Sequence, residues 1–296
     1  MNKLSLNWVA VALLSSVSFA LMAACARVAS RELPQIEVVF FRNFIGLLLL
    51  IPLALKQKLT LRTAHPGLHL FRAGAGISAM YLYFYAISHL PLADAVLLNY
   101  TSPLFVSLFA VVWLKEKLTR IRQLSGLLGL IGMVFLFHPS AAVASLAGLA
   151  GLLSGLIAGL ALTSVKKLSG REPGLRIVIL FALLASLMSG LPMLWSFTLP
   201  SGPVWLWLLA VGGLGNLGQL CLARAYRLAP ASQVSPLGYS GLVFAGLIGF
   251  LAWQETPDLW MLVGTAFIIA AGVLVARERV ATMPVPPGAT PTFPRK

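Results

Sequence analysis

The chain has 296 residues, 59% of them hydrophobic and only 10% charged, with a mean hydropathy of +0.91. A soluble domain carries about 25% charged residues, so this composition excludes an ordinary soluble fold and indicates a membrane class. The formal net charge of +14 does not indicate nucleic acid, because the basic residues sit between apolar runs rather than along one face.

A helix crossing the hydrocarbon core needs about 20 mostly apolar residues. In chain order, ten runs meet that need: 7–30, 36–55, 66–88, 91–114, 119–137, 142–166, 175–197, 203–224, 230–253 and 257–276. None alternates as a barrel strand would. The fold class expected is therefore an all-α integral membrane protein with ten transmembrane helices. Pro34, Pro66, Pro91, Pro203, Pro230 and Pro257 sit at or near the openings of their runs, where a missing N–H costs nothing.

The first run also has features of a secretory or lipoprotein signal: Lys3, an apolar stretch and "LMAAC" ending at Cys25. Its removal would leave an odd number of helices, so an uncleaved first helix is the simpler reading. Cys25 and Cys221 lie inside apolar runs and offer neither a disulfide framework nor metal-ligand spacing, and no cofactor is expected. The Pro-rich end, "PVPPGATPTFPRK", cannot bury enough surface to order itself, so residues 281–296 are expected to form a disordered cytoplasmic tail.

Lys and Arg are retained on the cytoplasmic side. Alternate loops carry Lys56, Lys58 and Arg62; Lys115, Lys117, Arg120 and Arg122; Lys166, Lys167 and Arg171; Arg224 and Arg227; Arg277 and Arg279. The opposite loops carry almost none, apart from Arg27 and Arg31. Both termini are thus expected in the cytoplasm, in a multi-pass protein of a bacterial cytoplasmic membrane.

Two segments repeat. "NYTSPLFVSLFAVVWLKEKLT" begins at Asn99 and "GYSGLVFAGLIGFLAWQETPD" at Gly238, with Tyr100 matching Tyr239 and Glu116 matching Glu255 at one offset (239 − 100 = 255 − 116 = 139). The second copy has lost every Lys and Arg. Five helices separate the copies, and five is odd, so the second enters the membrane upside down and its loop faces outside, where positive charge opposes the topology. The expected organisation is two inverted five-helix repeats, 1–138 and 139–280. Halves related in this way can rock between mirror states and give alternating access. The chain has no P-loop for ATP drive, no hydrolase or metalloprotease motif and no paired carboxylates within a span. It also lacks a filter loop or ring of like residues that would mark a channel. It is read as no enzyme.

With "FFRNFIG" in the second run and "LPLADAVLLNYTSPLFVSLFAVVWLKEKLT" through the fourth and fifth, the chain resembles the drug/metabolite transporter superfamily, specifically its EamA-type members. The later copy "LAPASQVSPLGYSGLVFAGLIGFLAWQE" ends on the same Glu. The resemblance covers 7–276 and implies a carrier of small metabolites, since members include exporters of amino acids and importers of vitamins or nucleoside-like compounds. The chain departs from the commonest pattern by placing Lys115 and Gln254 where a small residue precedes the terminal Glu.

Polar groups inside a span are costly unless they face an interior or a cavity. The substrate-binding candidates on that ground are Tyr81 and Tyr85; Asn99, Thr101 and Ser102 before Pro103; Asn216 and Gln219; and Gln233, Tyr239 and Ser240 around Pro236. For each alone the plainer reading is a hydroxyl bonded back to its own helix or a tyrosine in an interfacial belt; the matched cluster on the fourth and ninth runs is the stronger case. Arg42 is read either as snorkelling or paired with Glu37, or as an anion-recognising group. Gly151, Gly155 and Gly159 are read as a packing face. No carboxylate occupies a predicted midplane, which leaves Asp94 reaching the cavity, or facilitated or exchange transport. Glu116 and Glu255 are expected to sit before the fifth and tenth helices, where negative charge suits a helix N-terminus.

The function expected is a secondary transporter of a small organic metabolite, an amino acid or similar amphipathic compound, working outward. Import of a vitamin or nucleoside-like compound is the alternative, and a non-transporting membrane scaffold or sensor the second. The partners expected are that small-molecule substrate and the lipid bilayer, with a homodimer admitted and nucleic acid excluded.

Overall fold

The computed structural model describes residues 3–90, 92–137, 141–193, 197–254, 256 and 258–278. Its helices are α1 (Lys3–Ala29), α2 (Gln35–Lys56), α3 (Pro66–His89), α4 in two pieces (Leu92–Asn99 and Ser102–Val112), α5 (Arg120–Phe137), α6 (Leu146–Ser169), α7 (Gly174–Met193) and α8 (Val204–Leu228). α9 is a turn at Ala231–Val234, a 3₁₀ segment Ser235–Tyr239 and a helix Ser240–Trp253, and α10 spans Leu259–Arg277. The ten expected helices are present as an all-α membrane fold. Pro91, Glu255, Pro257, Arg279 and the tail 281–296 lie outside the described residues.

Among the described residues nine helices are long and apolar enough to cross a membrane. α3 is the exception, although its 24 residues suffice in length. His69, Arg72, Tyr81, Tyr83, Tyr85 and His89 dilute its hydropathy; it packs between α6 and α7, with His69 and Arg72 buried and Tyr85 and His89 exposed.

Helix contacts obey an exchange rule. α1 packs on α8 as α6 packs on α3; α4 packs on α6 as α9 packs on α1; α2 meets α7, and α5 meets α10. Swapping each helix with the one five places on returns the same set. The sense is antiparallel as well, because Glu116 after α4 contacts Ala231 at the start of α9, and Thr119 before α5 contacts Glu278 after α10. The repeat is therefore inverted, as the loss of positive charge predicts. One backbone feature marks it residue by residue. Lys115 and Gln254 both adopt left-handed φ, 58° and 57°, at the repeat offset (254 − 115 = 139). That conformation is costless for glycine and strained for an L side chain, so both repeats carry the same strain at this turn.

Small residues set the closest approaches. A Cβ on Gly132 would lie 2.6 Å from the carbonyl oxygen of Gly264, where α5 crosses α10. On α6, a Cβ at Gly155 would come within 2.6 Å of the Leu98 carbonyl oxygen, and one at Gly159 within 2.7 Å of Phe105 Cβ. Gly151, Gly155 and Gly159 thus seat the broken middle of α4 and form a packing face. The turn between α6 and α7 is tied to the loop before α3 through Glu172, which accepts from Thr63 Oγ1 and lies 3.0 Å from His69 Nε2. Burial opposes ionisation of Glu172, but these hydrogen bonds and the charges of His69 and Arg176 outweigh it and hold its carboxyl below the usual range.

Arg27, which no topological rule explains, stacks 4.5 Å over the Trp253 ring at the end of α9, a cation–π contact. Because overpacking a close helix contact costs about 1–3 kcal/mol or more, Gly155→Leu is expected to lower membrane abundance sharply, with Gly155→Ala intermediate. Quantitative immunodetection of the full chain in membranes measures this, and wild-type abundance of the Leu variant would contradict the packing role.

Candidate functional site

Two helices are broken at mid-depth, and the breaks have a local cause. Pro103 cannot donate to the Asn99 carbonyl, and Pro236 cannot donate to that of Ser232. α4 is interrupted at Tyr100–Thr101, where Thr101 Oγ1 returns a 2.5 Å hydrogen bond to the Leu98 carbonyl. α9 passes through its 3₁₀ segment, where Ser240 Oγ donates to Leu237 at 2.6 Å. Irregular backbone at membrane depth is tolerated only where it is buried in protein or lines a cavity.

A cavity of about 230 Å³ opens beside both breaks. α1 lines it with Ser15, Ser16 and Phe19, and α4 with Asn99, Tyr100, Ser102 and Pro103. α8 contributes Leu222 and Tyr226, and α9 contributes Ser235, Gly238 and Gly241. Its walls come from both repeats, so it sits at their interface. Ser15 Oγ donates to Gly218 O at 2.8 Å, and Ser107 pairs with Ser235 at 3.1 Å. These bonds pin the serines while leaving aromatic rings and hydroxyl lone pairs on the cavity wall.

A smaller niche of about 10 Å³ lies along α8, between Arg42 and Asn43 of α2, Phe181 and Ala182 of α7, and Gly215, Asn216 and Gln219. Asn216 Nδ2 donates to Gly46 O at 2.6 Å, and Gln219 Oε1 accepts from Arg72 Nη2 at 2.8 Å.

The structure brings Asn99 and Ser102 to the main cavity, and Arg42, Asn216 and Gln219 to the niche. Asn99 also donates to Ser154 Oγ at 3.0 Å. The other candidates stand elsewhere. Gln233 is buried and donates to Val275 O and Glu278 O, tying α9 to α10. Tyr239 is buried over Gly129 of α5. Tyr81 packs beside Phe181 and Met188, Tyr85 is exposed with its ring 4.3 Å from His89, and Thr101 and Ser240 bond within their own helix breaks. Arg42 does not pair with Glu37: its Nε meets Met22 Sδ at 3.2 Å, while Glu37 Oε1 accepts from the Thr198 N–H.

Ser15, Ser16, Phe19, Tyr226 and Arg72 were not among the candidates. "LSSVSF" in the first run and a lone Arg72 inside the third were the available signals. The serines were masked by their ordinary habit of bonding back along a helix, and Arg72 by its place near a basic end.

Comparison with known proteins fits this geometry. The model of the EamA-like transporter family matches residues 6–138 and again 145–277. The chain belongs to the EamA-like transporter family. It is 35% identical to the pseudopaline exporter CntI of Pseudomonas aeruginosa over 92% of this chain and 96% of that protein. It is 28% identical to a riboflavin transporter of Brucella anthropi, covering 83% and 89% of the two chains. An S-adenosylmethionine uptake transporter of Rickettsia felis is 26% identical over 89% and 90%. A solved crystal structure superposes with a TM-score of 0.80 at 21% identity, covering 93% of this chain and 97% of that one, which shows the shared fold. This EamA chain is a membrane transporter rather than an enzyme.

The two EamA repeats are stapled at the basic face below the cavity. Pro230 precedes α9 without a side-chain cap, and Glu116 supplies one from the other repeat. It accepts from Ala231 N at 2.8 Å, Ser232 N at 3.1 Å and Ser232 Oγ at 2.8 Å. Glu116 thus caps α9, not α5 as expected. α9's first N–H groups are the unsatisfied ones within reach, whereas Thr119 accepts from Arg122 N at the start of α5. Arg122 adds a 2.9 Å ion pair to Glu278 after α10, and Lys166 Nζ closes the end of α8 through the Tyr226 and Ala229 carbonyls. A hydrogen bond to a charged group contributes about 1.5–3 kcal/mol, so Glu116→Ala is expected to cost about 3 kcal/mol and Glu116→Gln less. Melting of the detergent-purified protein measures both, and an Ala variant as stable as wild type would contradict the cap.

Proposed function

We propose that this EamA transporter exports a small amphipathic organic metabolite of the amino-acid kind, by alternating access between its two repeats. The observation that carries the reading is the roughly 230 Å³ cavity at the repeat interface, walled by Phe19, Tyr100 and Tyr226 with serine hydroxyls between them. Aromatic walls with a few fixed polar groups are the usual make-up of a small-molecule site, and broken helices at a repeat interface are where such carriers bind. The outward direction is supported by the exporter to which the chain is 35% identical. Uptake is the second reading, supported by the relative described as an uptake transporter.

No described carboxylate lines the cavity, which supports facilitated or exchange transport over a proton relay through the site. The proposed location is a bacterial cytoplasmic membrane with both termini in the cytoplasm. Bacterial relatives and the basic loops after α2, α4, α6, α8 and α10 support it.

Reconstituted vesicles loaded with labelled amino acids test the reading. Cargo-dependent counterflow is expected, and Ser102→Phe, which fills the cavity, should reduce it by about tenfold or more at unchanged protein abundance. The absence of both flux and any cargo-induced thermal shift would favour a non-transporting scaffold instead.

A further inference from the structure

Arg72 of α3 is only 3% exposed. Its Nη2 reaches Gln219, its guanidinium lies 3.8 Å over the Phe181 ring, and its Nε has no hydrogen-bond partner. Arg42 of α2 spends its Nε on a methionine sulfur, a weak acceptor. Gln219 and Phe181, which Arg72 touches, line the niche together with Arg42, and neither arginine forms an ion pair with a described carboxylate. The carboxylate with which a paired Arg42 would be expected, Glu37, is bonded to Thr198 N.

Two cations without a counter-ion inside a membrane protein are costly, and such residues face a cavity, a partner or a ligand. A buried charge left without its counter-ion is strongly destabilising, so a site built with two cations and no anion is complete only when an anion arrives. We propose that Arg42, which lines the niche, and Arg72, which backs it through Gln219 and Phe181, form an anion subsite that takes a carboxylate of the cargo while the neighbouring cavity holds its body. The proposal rests on the transport reading above.

Placement supports the division of labour. Gly215, Gln219, Leu222 and Tyr226 follow one another at helical spacing along one stripe of α8; the first two line the niche and the last two line the cavity. α1 repeats the arrangement: Ser15 and Phe19 line the cavity, and Met22, one turn on, touches Arg42. A ligand along these stripes meets aromatic rings at one end and, at the other, the Arg42 guanidinium with Arg72 behind it. The niche holds about one water-sized group, about 10 Å³. That suits the edge of a flat carboxylate, which arginine recognises in fork geometry, and is tight for a tetrahedral phosphate.

The test uses the full-length protein in detergent and in vesicles. N-acetylphenylalanine, N-acetylleucine and N-acetylhistidine are each compared with the corresponding amide, and with inorganic phosphate at matched ionic strength, by thermal shift. The acids are expected to bind about tenfold or more tightly than their amides. Arg42→Gln and Arg72→Gln should each erase that preference while leaving amide binding in place, and Lys at either position should restore part of it. If a Gln variant fails to fold, the wild-type comparison of acid with amide decides alone. Equal response to acids and amides, or a response to phosphate in place of the acids, would overturn the subsite. Acid-selective binding without vesicle flux would refute transport and leave the subsite standing. Flux of neutral cargo without acid preference would do the reverse.

Discussion

The end of α4 is tied to the beginning of α9 by one buried carboxylate. Ala231 and Ser232 are buried in the protein, where no water reaches the first N–H groups of the helix, so those groups must be met from within the protein. Glu116 meets those of Ala231 and Ser232, and the contact requires equivalent helices to run in opposite senses. The same opposition recurs where Arg122, at the start of α5, pairs with Glu278 beyond α10. The principal helix pairings follow from it: α1 on α8 is returned as α6 on α3, and α4 on α6 as α9 on α1.

Antiparallel repeats bring the two broken helices to the same depth, and their interface holds the cavity. The symmetry is one of backbone more than of side chains. Tyr100 and Tyr239 occupy matched positions, yet Tyr100 lines the cavity and Tyr239 is buried against α5. Lys115 and Gln254 keep the same left-handed turn with different chemistry. The two copies share the backbone turn and differ in what their matched tyrosines touch. A symmetric scaffold in this way carries an asymmetric interior, with hydroxyls and aromatic rings around the cavity and Arg42 in the niche.

Much of the fold was legible in the chain because bilayer thickness imposes a length on every helix, and charge retention imposes a sign on most loops, that of Arg27 and Arg31 being the exception. Both are additive signals that survive without tertiary information. The site was legible only in part. Asn99 and Ser102 announced themselves through Pro103, whose effect on the backbone is local. Gln233 and Tyr239 carried the same local signature, but their side chains turn toward α10 and α5, which depends on packing between distant segments. Arg72 was hidden because its meaning depends on Arg42 and Gln219, 30 and 147 residues away in sequence (72 − 42 and 219 − 72). Ser15 resembles any helical serine until Gly218 of α8 is placed beside it.

The central claim is the opposed threading of the two repeats through the membrane. Single cysteines at Lys117 and at Gln254, in a chain with Cys25 and Cys221 replaced, can be probed on intact cells with a membrane-impermeant maleimide. The account predicts that position 254 is labelled from outside and position 117 only after the membrane is opened. Labelling of both positions from the same side would contradict it.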